Sequence, residues 1–357
     1  MKKYIVFIFL ISLSLISFCH NKQLVHLINN VSADSLKVYD YKLASNDFGG
    51  RLEFTKGDVL TSEFISGCFK NYGLIASPTF NNSYYQKFPM FVKDPNLDPL
   101  LIEYKKPFQI HNSASKDQMA KSNESMLYAQ NIIGVLQGTK PELNYIVVTA
   151  HHDHIGQIDG EIYYGADDNG SGSAGLLEIA RVMGAAFKNG IRSKRTIVFI
   201  STDSEEEGMV GSDFYVNNPI KTTKNILCNV NIDMIGRVDS LHSQTQKSDG
   251  NYIYCIYKDT TNKIFNKHKL ENVNSLYTNL HLDNLYEKES LSLNKYSLIY
   301  RSDHYPFMKK NIPIIWFFSG LHKDYHQTTD TPDKICYPVL KKRVQLAMAM
   351  IWSLANK

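Results

Sequence analysis

Three groups of histidine and acidic residues stand beside apolar runs in one stretch of the chain, residues 145–211. The first group is HHDH at 151–154, directly after an apolar run. The second is the acidic pair at 167–168, which opens a helix-like segment, and the third is EEE at 205–207. Imidazole nitrogens and carboxylate oxygens are ligands that zinc and similar divalent ions bind in proteins. The pattern therefore predicts a metal site whose ligands come from several segments.

Two further residues extend this set. Asp233 lies within an apolar run, where a carboxylate is costly unless a cation or hydrogen-bond donors stabilise it. His326 follows the last apolar run of the chain, 312–318. Nitrogen and oxygen ligands without thiolates favour zinc over manganese or cobalt. The whole set is large enough for two ions that share one bridging carboxylate.

Each residue also has a structural interpretation when it is taken alone. A histidine at a strand end is more often structural, adjacent acids can cap a helix, and a run of glutamates can form a solvated turn. The joint occurrence favours the metal site. There, one glutamate would bind the ion and its neighbour would take a proton from the bound water. Asp153 could accept the second ring N–H of His151 and fix its orientation.

Alternating strands and helices must position these residues. Apolar runs predict strands at 132–136, 145–150, 196–201, 225–234, 252–257 and 312–318. Helical patterns occur at 22–40, 60–74, 173–187, 212–217, near 260–270 and at 340–354, and residues 75–128 suggest an irregular strand pair with a loop. The interpretation is an α/β fold, a mostly parallel central β-sheet sandwiched by α-helices. The metal-site residues fall beyond the carboxyl ends of its strands, where such sheets bind ligands.

Composition supports a globular protein and argues against some classes of function. Of the 357 residues, 43% are hydrophobic and 21% charged, which is ordinary for a domain with a sizeable core. The net charge of +4 comes without a basic block, so we expect no nucleic-acid partner. The cysteines form no Cys-x-x-Cys pair, which argues against a thiolate zinc site or a redox motif. Disulfides and buried free thiols both remain open.

The N-terminus predicts export. Two lysines precede an apolar run at 4–18, too short for a membrane span and typical of a secretory signal over 1–18. Residues 16–19 resemble a lipoprotein box that would make a lipidated Cys19 the first mature residue, although Phe18 is larger than that box prefers. A plain signal peptide is the alternative. We expect a periplasmic protein or a lipid-anchored protein of the bacterial outer membrane or surface.

Taken in order, the motifs resemble those of the co-catalytic two-zinc aminopeptidases, whose relatives include glutaminyl cyclases and glutamate carboxypeptidases. They are HHDH at 151–154, GADDNGSG at 165–172, EEEG at 205–208, NIDM at 231–234, RSDHYPF at 301–307 and YH at 325–326, with NDFGGR at 46–51 as an N-terminal match. The resemblance spans roughly residues 40–355. It implies a zinc-exopeptidase-like fold with one catalytic domain at 22–357, in which 238–298 is a variable segment. The stretch 52–150 is too short for the protease-associated domain of larger members.

The resemblance also implies metal ligands. His151 and Asp233 would hold one zinc ion, Glu206 and His326 would hold the other, and Asp167 would bridge the two. The neighbouring Asp168 would fix the bridging loop. His152, His154 and His304 would be supporting or structural residues.

The implied reaction is removal of the N-terminal residue from a peptide with a free N-terminus. Glu205 would be the general base and acid, Asp153 would orient His151, and Tyr325 would stabilise the oxyanion, with Tyr300 as the rival for that role. Tyrosines in the variable segment suggest an apolar side chain at the cleaved residue.

Three alternatives belong to other classes. A glutaminyl cyclase would be expected to lose the ADDN loop and the His-x-Asp pair, and a non-catalytic binding protein would lack Glu205 or a ligand. A carboxypeptidase for acidic peptides would need a basic pocket, for which Arg301 is the obvious residue.

Overall fold

The structure is a computed structural model that describes residues 22–92, 125–244, 249–259, 264–284 and 298–357. Its ten strands are β1 (Tyr85–Val92), β2 (Ser125–Leu136), β3 (Tyr145–His151), β4 (Gly156–Ile158), β5 (Glu161–Tyr163), β6 (Ile197–Thr202), β7 (Ile226–Ile232), β8 (Tyr252–Lys258), β9 (His281–Asp283) and β10 (Ile314–Phe318). The predicted signal segment 1–18 and Cys19 lie outside the described residues.

Eight strands form one sheet in the order β1-β2-β6-β3-β7-β10-β8-β9, and β4 pairs with β5 separately. The four central strands, β6, β3, β7 and β10, run parallel. On one side, β2 is antiparallel to β6 and β1 to β2; on the other, β8 is antiparallel to β10, and the edge strand β9 runs parallel to β8. The α/β fold with a central sheet is therefore confirmed, and its parallel part is the centre that carries the predicted ligands.

Helices cover both faces of the sheet. They are α1 (Ala33–Leu43), α2 (Lys56–Tyr72), α3 (Gly172–Lys188), α4 (Val210–Asn217), α5 (Lys267–Tyr277), α6 (His304–Lys309) and α7 (Tyr337–Ala355). On β3, alternate residues face opposite layers: Ile146 and Val148 pack with α1, α2, α3 and α7, whereas Tyr145 and Val147 pack with α4 and α6. Burial of both faces explains the unbroken apolar run of this strand.

Two helix predictions differ from the structure at their boundaries. The predicted entry helix over 22–40 is two helical segments: the first ends at residue 29, and Ser32 then caps α1 by accepting a hydrogen bond from the Ser35 amide. The helix predicted near 260–270 begins later, since the Asn266 side chain caps α5 at the Lys269 amide. Local capping side chains set both boundaries, and apolar periodicity does not detect them.

The described cysteines are free thiols. Cys68, Cys228 and Cys255 are buried and Cys336 is half-buried, so the structure favours the thiol alternative for this part of the chain. Within the described ranges, no helix is both long and apolar enough to cross a membrane.

Candidate metal centre

The carboxyl ends of the central strands bring the predicted ligands together. His151 is the last residue of β3, and Asp233 follows β7 directly. The Nε2 atom of His151 lies 3.4 Å from Oδ1 of Asp233 and 3.4 Å from Oδ1 of Asp168. All three side chains are buried. This first group contains one imidazole and two carboxylates around a common point.

A second group lies on the other side of Asp168. The Nε2 atom of His326 is 3.0 Å from Oδ2 of Asp168 and 3.2 Å from Oε2 of Glu206. The Nδ1 atom of His154 contacts the other oxygen of Glu206 at 2.8 Å. The two oxygens of Asp168 therefore face histidines on opposite sides, which is the geometry of a carboxylate shared by two cations.

The donor set fits two divalent ions. Oδ1 of Asp233 and Nε2 of His326 are buried and have no hydrogen-bond partner among the described residues. Imidazole and carboxylate ligands, with no thiolate among them, suit zinc. Carboxylates buried this close together need cations or protons between them. The unpartnered carboxylate oxygen and histidine nitrogen are available as ligands for such cations.

Asp167 does not reach this cluster, which corrects its expected position as the bridge. Its Oδ1 accepts a hydrogen bond from the Gly236 amide at 2.6 Å, and its Oδ2 lies 3.2 Å from Nε2 of His322. The reason is the local backbone. Asp168 has φ −104° and ψ 97°, an extended conformation inside a helical turn. Because consecutive side chains in extended backbone point in opposite directions, the two aspartates face different sides of the loop.

Neighbouring side chains hold the loop of Asp168 in place. Oδ2 of Asp330 accepts hydrogen bonds from the amides of Asp167 (2.9 Å) and Asp168 (3.1 Å). The Asn169 side chain donates to the Ile232 carbonyl and accepts from the Gly172 amide. A Cβ atom at position 172 would lie 2.2 Å from that Asn169 oxygen, so glycine is required for the approach. The loop is thereby fixed to the end of β7.

Arg51 ties this loop to the end of β3. It is 1% exposed, and its guanidinium donates hydrogen bonds to the carbonyls of His152 (2.7 Å), Leu43 (2.8 Å), Tyr164 (2.7 Å) and Gly165 (2.9 Å). Two of these carbonyls belong to segments of the metal centre: His152 follows His151, and Gly165 lies in the loop of Asp168. The NDFGGR segment therefore contributes a positioning residue, a role that its sequence did not reveal.

Glu205 lies beside the cluster. Its Oε2 is 4.0 Å from Nε2 of His151, and its side chain is partly open to the cavity. Burial raises the pKa of Glu205 well above its usual range, the nearby Glu206 carboxylate raises it further, and His151 opposes the shift. A carboxyl group with these surroundings keeps its proton to a higher pH than an exposed glutamate does.

Asp153 lies beside His151, whose ring Nδ1 faces the Asp153 backbone carbonyl at 3.3 Å. Its Oδ1 lies 3.6 Å from Nδ1 of His151, and its Oδ2 accepts a hydrogen bond from the Glu206 amide at 3.0 Å. Burial would raise its pKa, but the interaction with His151 outweighs that effect and lowers it. The carboxylate therefore touches both a predicted ligand and the backbone of a second one.

An open cavity adjoins the cluster. It is lined by the metal-facing acids Asp168, Glu205, Glu206 and Asp233, by the apolar residues Met234, Leu298, Trp316, Phe318 and Leu321, and by Arg301 and Tyr325. The Tyr325 ring stacks on His326 with centroids 3.8 Å apart, and burial raises the pKa of its phenol, which stays protonated. Tyr300 instead packs edge-on against Tyr305, with centroids 5.1 Å apart.

His154, expected to be a supporting or structural residue, contacts Glu206. Sequence reasoning missed one contact of this site. His322 was not considered, although it lies in the same loop as His326 and contacts Asp167. The sequence does show a second histidine, His322, in the loop after β10. Its spacing from His326 does not indicate that the two histidines contact different acidic residues.

Comparisons with known proteins identify the family. The model of peptidase family M28 matches residues 131–351, more than half of the 357-residue chain. The chain belongs to peptidase family M28. This membership confirms the resemblance drawn from the motifs.

Relatives in the family carry several activities. The chain is 28% identical over 243 residues to aminopeptidase YwaD of Bacillus subtilis, covering 64% of this chain and 45% of YwaD. It is 37% identical over 105 residues to a probable glutamate carboxypeptidase of Arthroderma benhamiae, covering 29% of this chain and 14% of that protein. The matches thus span less than half of these relatives.

Solved structures share the fold. The aminopeptidase LapA of Legionella pneumophila superimposes with a TM-score of 0.63 at 18% identity, covering 95% of this chain and 76% of that one. BSAP, a zinc aminopeptidase from Bacillus subtilis, gives 0.60 at 17% identity, with 92% and 96% covered. The glutaminyl cyclase of Porphyromonas gingivalis gives 0.59 at 20% identity, with 90% and 98% covered. At these identities the likeness establishes the fold alone.

Proposed function

We propose that this protein is a zinc-dependent aminopeptidase with two zinc ions per chain. The observation that carries the proposal is Asp168, whose two oxygens face His151 and His326 from opposite sides. His151, Asp168 and Asp233 would hold one ion, and Asp168, Glu206 and His326 the other. Asp168 would take the bridging role that the family resemblance implies for Asp167.

The chemistry divides between the ions and the side chains. Bound zinc supplies Lewis acidity, which lowers the pKa of a water and polarises a peptide carbonyl. Glu205 removes the proton of the attacking water and later delivers it to the leaving amine. Tyr325, which stays protonated, donates a hydrogen bond to the carbonyl oxygen as negative charge develops there. Asp153 keeps the His151 ring in its binding orientation.

The cavity supports a preference for apolar N-terminal residues. Its wall beyond the acids consists of apolar and aromatic side chains, among them Met234, Trp316 and Phe318. The free α-amine of the substrate would lie near the acidic residues, and its side chain would pack on this wall. The presence of Arg301 in the same lining keeps a second candidate open, a carboxypeptidase that binds an acidic C-terminal residue.

The test uses aminoacyl-anilides with leucine, alanine and glutamate, beside an acidic dipeptide blocked at its N-terminus. The aminopeptidase proposal expects chelator-sensitive cleavage of the anilides, fastest for leucine, and recovery with added zinc. Fastest cleavage of the glutamate anilide would reject the apolar preference. Cleavage of the blocked dipeptide alone would favour the carboxypeptidase, and cyclisation of an N-terminal glutaminyl peptide would favour the cyclase.

We also propose that the mature protein is exported and acts in the periplasm or at the bacterial surface through a lipid on Cys19. The support is the N-terminal sequence alone. Labelling of the expressed protein with a fatty-acid analogue checks the anchor, with Cys19→Ala as the control. Label that persists in this variant would contradict the lipid on Cys19, and protein retained in the cytoplasm would contradict export.

A further inference from the structure

A second cluster of histidine and acidic residues lies behind the proposed catalytic site and shares no residue with it. Asp58 on α2, His152 after β3 and Asp203 after β6 each offer one ligand atom, and these atoms lie within 4.8 Å of one another. The three residues are 3%, 0% and 0% exposed. Because water cannot solvate these buried carboxylates, other groups must compensate their charge.

Hydrogen bonds leave this cluster incompletely satisfied. Nδ1 of His152 contacts the Ser201 hydroxyl at 3.0 Å, which leaves Nε2 facing the cluster. That Nε2 has a long hydrogen bond of 3.5 Å with the Ser62 hydroxyl, and it lies 3.5 Å from Oδ1 of Asp58 without a hydrogen bond to it. Oδ1 of Asp58 has no hydrogen-bond partner in the described part of the chain. An unpartnered, buried carboxylate oxygen thus lies 3.5 Å from a histidine nitrogen.

More buried acids surround this cluster. Glu53 is 2% exposed, its Oε2 has no hydrogen-bond partner among described residues, and it interacts electrostatically with Asp153 and Asp203. Asp58 interacts in the same way with Asp153. The guanidinium of Arg51 directs its hydrogen bonds to backbone carbonyls instead. Buried carboxylates in such numbers are expensive without a cation.

We propose that Asp58, His152 and Asp203 bind a third divalent cation, distinct from the catalytic pair. One imidazole nitrogen and two carboxylate oxygens, with the Ser62 hydroxyl in reach, form a ligand set that zinc accepts better than calcium or magnesium. Asp58 also lines a surface groove beside α2 and β1, which gives an ion a path to the site.

The ion would tie helix α2 to the ends of β3 and β6. These strand ends carry His151 and the segment that leads into Glu205 and Glu206. The third ion would therefore be structural: it binds away from the substrate cavity and fixes the two strand ends from behind. This role does not depend on which reaction the catalytic site performs.

The test counts zinc. Purified wild type and Asp58→Asn are equilibrated with zinc, freed of excess ion by gel filtration, and analysed by elemental mass spectrometry. We expect wild type to retain one more zinc per chain than Asp58→Asn, and Asp203→Asn to lose the same ion. The difference between variants is the readout, so the result stands even if the protein shows no peptidase activity. If wild type shows no peptidase activity but still retains one more zinc per chain than Asp58→Asn, only the proposed function is rejected.

Asp239→Asn is the matched control. Asp239 is also buried beside a histidine, but its oxygens accept hydrogen bonds from His242 and Tyr254. We expect this variant to keep the zinc content of wild type. Equal zinc content in wild type and Asp58→Asn would overturn the proposal and mean that the cluster shares protons instead. Folding of each variant is checked by thermal unfolding, where zinc should raise the Tm of wild type more than that of Asp58→Asn.

Discussion

Arg51→Lys tests whether the buried guanidinium positions the metal ligands. Arg51 donates four hydrogen bonds of 2.7–2.9 Å to backbone carbonyls. A lysine ammonium keeps the charge but cannot reach four carbonyls arranged around a planar fork. If about two carbonyls lose their donor, at about 1–3 kcal/mol each, the free energy of unfolding falls by about 2–6 kcal/mol. Typical domains have a free energy of unfolding of about 5–15 kcal/mol, which exceeds this loss over most of the range.

The same substitution should weaken metal binding. Because Arg51 holds carbonyls next to His151 and in the loop of Asp168, its loss should reduce zinc affinity by about 10–100-fold, as for other groups that support metal ligands. The assays are urea unfolding of the zinc-free protein and zinc titration against a chromophoric chelator.

Arg343→Lys is the control for this prediction. Arg343 is equally buried and donates to the carbonyls of Ile235, Arg237, Gly250 and Tyr252 at 2.7–3.0 Å. Arg343→Lys should lower the free energy of unfolding by a similar amount but should change zinc affinity less than Arg51→Lys does. If Arg51→Lys binds zinc as tightly as wild type, or if both variants weaken zinc equally, the positioning role of Arg51 is refuted.

Two further predictions concern the bridging loop and pH. Asp168→Asn should lose both catalytic zinc ions because it loses the shared carboxylate, whereas Asp167→Asn should keep them; zinc loss in Asp167→Asn alone would contradict the assignment. Burial lowers the pKa of His304 to about 3, below the value of about 6.5 in the unfolded chain. The stability due to its neutral form is therefore present above pH 6.5 and lost as pH falls towards 3, by at most about 1.4 kcal/mol per pH unit. Urea unfolding at pH 7 and pH 5 should show a smaller loss for His304→Phe than for wild type, and equal losses would count against this explanation.

The sequence predicts the central strands of the sheet well, because strands that are buried on both faces consist of continuous apolar runs. Ile146, Val147 and Val148 need no long-range information to indicate a buried strand. The carboxyl-end rule then brings His151 and Asp233 to the same edge. This part of the site follows from local pattern and topology.

Other features depend on geometry that the sequence does not express. Asp167 and Asp168 are chemically identical neighbours, and only the extended backbone at Asp168 decides which one faces the histidines. Asp58 and Asp203 are far apart in sequence, so their approach to His152 needs the packing of α2 against the sheet. Neither feature produces a periodicity or a residue spacing that can be recognised in the sequence.

Glu205→Gln tests the central claim most directly, because the substitution keeps the shape of the side chain and removes its ability to accept a proton. The measurement is the hydrolysis rate of leucine-anilide by wild type and variant, both loaded with zinc and with their zinc content determined. We predict chelator-sensitive activity in wild type and a loss of about 100–10,000-fold in the variant at equal zinc content. A variant that hydrolyses the anilide at the wild-type rate, or a zinc-loaded wild type that cleaves none of the anilides, would contradict the account.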